Sequence, residues 1–177
     1  MASEKQYLSL YEQQKALICA GSCAPMNNRR EEAAALLTAK GLPTAKTERY
    51  KYTDVEAAFA PDFGLNLKRI PLEIERIPLK IDPYDTYRCT VERLGAWNYY
   101  VVNDTVAPAS PDSATLPQGI IVDSLVHVAA QRPELLEKFY NQAAGRSYDG
   151  VTTLNTLLAQ DGLLIYIPSG VAAERAV

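Results

Sequence analysis

The sequence predicts an α+β fold. Two N-terminal segments repeat apolar residues at helical spacing and are parted by the breaker Gly21–Pro25. From Pro61 the pattern changes to extended, proline-bearing chain. Helical and strand patterns then mix, ending in the apolar strand Leu163–Ile167. The 177 residues fit about one domain, and 47% apolar with 22% charged residues gives a globular core, excluding a disordered or collagen-like chain.

Residues 3–19 form the first expected helix. Leu8, Tyr11, Lys15 and Ile18 are spaced 3, 4 and 3, Leu10 and Leu17 widen the stripe, and the Lys15 methylenes extend it while the amine stays wet. Asn27 or Asn28 is the expected N-cap of a second helix over 28–40. Its end is strongly marked. Lys40 suits the negative dipole end, Gly41 can turn left-handed, Leu42 can fold back on Leu37, and Pro43 stops continuation.

The connector 44–53 is polar and aromatic. Tyr50 and Tyr52, two apart, point the same way in extended chain and can pack on the helix pair, with Glu48 near Lys46 and Lys51. The competing reading makes Tyr50-Lys51-Tyr52 a docking surface for a partner. A helical turn Asp54–Phe59 follows, with Thr53 as its cap. The near-repeat Arg69–Ile74 and Arg76–Ile81 reads as a surface β arm. Its odd offset of seven would put the two apolar triplets on opposite faces, and Pro71 and Pro78 suit only edges.

Tyr87–Leu94 and Trp97–Val102 read as strands joined at Gly95-Ala96, with Asn103-Asp104 closing the second. A loop over 107–117 leads to the strand Ile120–Val122, then to a helix capped by Asp123 or Ser124 and running to Gln131. A helix over 133–144 is expected to bury Leu135, Leu136, Phe139 and Tyr140, and another spans 152–160. Leu163–Ile167, five apolar residues in a row, suits a strand covered on both faces. Its open edge leads us to expect that residue 177 is not the natural end. It also leads us to expect 163–177 to be poorly ordered or self-associated with the same segment of a neighbouring molecule.

The chemistry is sparse. A net charge of −3 argues against nucleic-acid and anionic-membrane partners, and three cysteines argue for a reducing, cytoplasmic setting rather than a disulfide framework. The N-terminus lacks a secretory pattern, and no run approaches the ~18–20 apolar residues that span a bilayer. Cys19 and Cys23 sit at i, i+4, but Met26 stands where a third thiol would begin a cluster motif, and Cys89 is remote; we read ordinary thiols. His127, among apolar neighbours, reads as a satisfied structural histidine. Glu31-Glu32 and Glu73/Glu75 read as solvated charge. No nucleophile elbow, dinucleotide loop or Walker A sequence is present. We therefore expect no enzyme, no catalytic, cofactor-binding or metal residue, and a binding or scaffold role.

One stretch goes further. Leu36-Leu37 followed by Gly41-Leu42-Pro43-Thr44, then Lys46, Glu48 and Tyr50-Lys51-Tyr52-Thr53-Asp54, resembles the N-terminal signature of the SufD family, with Tyr50 where Trp is usual. Tyr99–Asp104 is similar to a family strand ending in Asn-Gly or Asp-Gly, with Asp104 in place of Gly. Leu154–Leu157 with Asp161–Val171 resembles the start of the family's β-helix, and Ala173–Val177 its continuation, with Ala176 where Pro is usual. SufB, the paralogue, shares the β-helix but not this form of the Gly-Leu-Pro opening. The resemblance implies a non-catalytic scaffold subunit of iron–sulfur cluster assembly that partners SufB and SufC family proteins. It implies no cofactor in this portion, the cluster being handled by the full complex. It also implies residues 1–150 as an N-terminal α+β domain, and 151–177 as the beginning of a truncated right-handed parallel β-helix. Because the family's working residues lie further on, it transfers no site residue to this chain.

Overall fold

The computed structural model describes residues 3–62, 67–68, 96–97, 99, 101–102, 105–106, 116–144 and 148–177. The expected strands over 70–81 and 87–94 lie outside them. Helices are α1 (Glu4–Ala20), α2 (Ala24–Asn27), α3 (Arg30–Lys40), α4 (Val55–Phe59), α5 (Leu125–Gln131), α6 (Pro133–Phe139) and α7 (Gly150–Leu158), with a 3-10 turn at Glu48–Tyr50. Strands are β1 (Val101–Val102), β2 (Thr105–Val106), β3 (Ile121–Ser124) and β4 (Leu163–Tyr166). The described part is thus α+β. Among the described residues, no helix is long and apolar enough to cross a membrane.

The chain divides into two compact units. One comprises Met1–Arg69 with Leu125–Asp161, the other Ile70–Ser124 with Gly162–Val177. The first unit includes α7, which packs with α1 and α3.

In the first unit the core joins Tyr11 and Ile18 of α1, Ala33 and Leu37 of α3, and Leu154 and Leu157 of α7. Leu8 and Leu42 pack against it, as the sequence spacing and the fold-back of Leu42 anticipate. Each fully buried aliphatic side chain, such as Ile18, Leu37 or Leu157, contributes about 1.5–3 kcal/mol. Gly41 ends α3 as expected, with φ +68° and its N–H on the Leu37 carbonyl at 2.8 Å.

Several expected caps are corrected. Asn27 lies inside α2, and its side chain serves elsewhere, donating to the Cys19 carbonyl and accepting from Arg30. Asp54 rather than Thr53 caps α4, accepting from the Ala57 N–H at 3.0 Å, because its carboxylate reaches the third residue on. Asp123 and Ser124 belong to β3. Ser124 directly precedes α5, and in the first turn of that helix the N–H of Val126 donates to Asp161, 35 residues away, at 3.1 Å. The helix expected over 133–144 stops at Phe139, since Tyr140 turns extended and Asn141 adopts φ +61°. Leu135 and Leu136 are buried as expected, but Phe139 is 51% exposed.

In the second unit, β1 pairs antiparallel with β2, and β3 with β4, in the register Ile121↔Tyr166 to Ser124↔Leu163. One expectation falls here. Leu163–Ile167 is not covered on both faces, since Ile165 is 50% and Ile167 45% exposed. Residues 163–177 also have partners in their own chain. β3 pairs with one edge of β4, and the buried Trp97 donates its backbone N–H to the Ala176 carbonyl at 2.8 Å.

Candidate functional site

The recognisable motif at 41–54 folds onto the start of α7, and chemistry explains why. Asp149 precedes α7 with extended backbone, and its Oδ1 accepts from the N–H groups of Val151 and Thr152 at 3.0 and 3.1 Å. Its other oxygen, Oδ2, accepts from the Tyr50 hydroxyl at 2.7 Å and lies 3.5 Å from Arg49 Nη1. Burial alone would push the Asp149 carboxyl up. Tyr50 and the two backbone donors outweigh it, with help from Arg49, and hold the group below the ordinary carboxylate range. The same hydrogen bond pushes the Tyr50 hydroxyl up.

Next to this bond the two chain segments touch at the backbone. A Cβ on Gly150 would meet the Gly41 carbonyl oxygen at 2.6 Å and both Leu42 Cα and Pro43 Cδ at 3.0 Å. Only a glycine lets the Gly-Leu-Pro corner approach so closely. Tyr148 donates its hydroxyl to the Gly41 carbonyl. Gly41, Pro43 and Tyr50, which carry the sequence resemblance, are therefore parts of one clamp on Asp149-Gly150.

The clamp corrects the reading of the connector. Glu48–Tyr50 is a 3-10 turn, so Tyr50 and Tyr52 do not point alike. Tyr50 is half-buried against Asp149, while Tyr52 is 91% exposed with Lys51 Nζ 5.0 Å from its ring centroid. Glu48 pairs with Lys51 at 2.9 Å.

The other end of α7 carries a residue the sequence reading missed. Arg30 is fully buried. Its Nη1 donates to the Leu157 carbonyl and its Nη2 to the Ala159 carbonyl, both at 2.6 Å, and Nε donates to Asn27 at 2.9 Å. A cation on the last carbonyls of a helix answers both the unpaired acceptors and the negative dipole end. Gln160, also buried, caps α1 in a related way. Its Nε2 lies within 3.5 Å of the carbonyls of Leu17, Ile18 and Leu67, nearest to Leu67 at 3.0 Å.

The remaining sequence candidates do not converge. Cys19 and Cys23 are free, half-buried thiols, and burial pushes Cys23 up. His127 is exposed rather than in the core, with Nε2 2.7 Å from the Gln131 amide nitrogen one helical turn on. Glu31 is an exposed bridge from α3 to α1: it accepts from the Tyr11 hydroxyl at 2.8 Å and pairs with Lys15. Lys15 foremost, with Tyr11, holds Glu31 below the ordinary carboxylate range, whereas burial and then this bond push Tyr11 up. Cys89, Glu73 and Glu75 lie outside the described residues. Among the described residues, no three His, Cys, Asp or Glu side chains gather where they could hold a metal ion.

No curated protein and no solved structure matches the chain. A protein-family model described as SufBD protein N-terminal region matches residues 1–177, and the chain therefore belongs to the SufBD family.

Proposed function

We propose that the chain is the N-terminal part of a SufD-type, non-catalytic scaffold subunit in the SUF pathway of iron–sulfur cluster assembly. The observation that carries the reading is the family match over residues 1–177, since the SufBD family belongs to that system. The choice of SufD over SufB rests on the Gly41-Leu42-Pro43 corner and the Glu48–Thr53 motif. The partners under this reading are SufB and SufC family proteins in the cytoplasm, and the cluster is the cargo of the whole complex rather than a resident of this portion. Residues 151–177 would lead from the N-terminal domain into a parallel β-helix further along the chain.

Co-expression of the full reading frame with SufB and SufC family partners tests this. Co-purification as one complex is expected, with cluster maturation of an acceptor protein dependent on it. A protein that replaces SufB in that complex, or joins neither partner, overturns the SufD assignment.

A further inference from the structure

We draw no further inference here: the strongest candidate, the polar cleft between α3 and α7, carries nothing, because its Arg29 is paired with Glu32, the hydroxyls of Tyr148, Thr153 and Thr156 are spent on backbone carbonyls of the same unit, and nothing in the structure shows what covers it.

Discussion

The two ends of α7 do the same job, one with a fully buried cation and the other with a carboxylate whose outer partner stands in water. At the C-terminal end the carbonyls of Leu157 and Ala159 meet a guanidinium shut away from water. At the N-terminal end the N–H groups of Val151 and Thr152 meet Asp149, whose outer partner Arg49 has a side chain 75% exposed. A buried donor that is lost leaves acceptors with no water to replace it, whereas a partner at the surface is replaced by solvent. The contrast teaches that depth, more than the number of bonds, sets what each cap is worth.

The largest expected effect is at the buried end. Arg30→Met should cost about 3 kcal/mol or more in urea unfolding, because two helix-terminal carbonyls and Asn27 lose their donor while the aliphatic volume is kept. A loss below about 1 kcal/mol would mean that water reaches those carbonyls, and the contrast would collapse.

Gly150→Ala comes next, at about 1–3 kcal/mol, since its methyl group would press on the backbone of Gly41 and Leu42. A melt unchanged from the parent would show that the corner yields. Asp149→Ala should cost about 1–2 kcal/mol, the ordinary worth of an N-cap.

Asp149 also predicts an acid response. Its folded-state pKa lies below the ordinary carboxylate value, so its stabilisation is fully present above that value. It is lost as pH falls through the ordinary range and on through the depressed folded pKa. Unfolding followed from pH 6 downwards should therefore show a loss of stability that shrinks in Asp149→Asn; an identical pH slope would remove Asp149 from the account.

The smallest effects sharpen the scale. Tyr50→Phe should cost about 1 kcal/mol, and Arg49→Ala less than about 0.5 kcal/mol, because the first loses a short, half-buried bond and the second an exposed, stretched pair. The reverse order would show that charge outweighs burial at this end.

Local signals were legible in the sequence. The 3-4-3 spacing of Leu8 to Ile18 marked α1, and Lys40-Gly41-Leu42-Pro43 marked the end of α3 nearly to the residue. The signature at 41–53 identified the family, though not its physical purpose. Long-range pairings were not legible. Nothing near Asp161 in sequence says that it will cap α5, and nothing near Arg30 says that it will close α7 from more than 120 residues away. Of the conventional local caps, Asn28 was passed over at α3, and Thr53 gave way to its neighbour Asp54 at α4. The run Leu163–Ile167 misled for a related reason, since apolar composition gives strand propensity but not how many sides are covered.

The buried amide of Gln160 has a consequence for synthesis. Its contacts with Leu17 and Ile18 span more than 140 residues, and α7, which completes the core around Ile18 and Leu37, begins 110 residues after α3 ends at Lys40. At a ribosomal pace of about 5–20 residues per second, α1 and α3 wait on the order of ten seconds for their third partner. During that interval their apolar faces are open to chaperones or to wrong neighbours. The nascent chain therefore needs protection at α1 and α3 until the residues around Gln160 have been made.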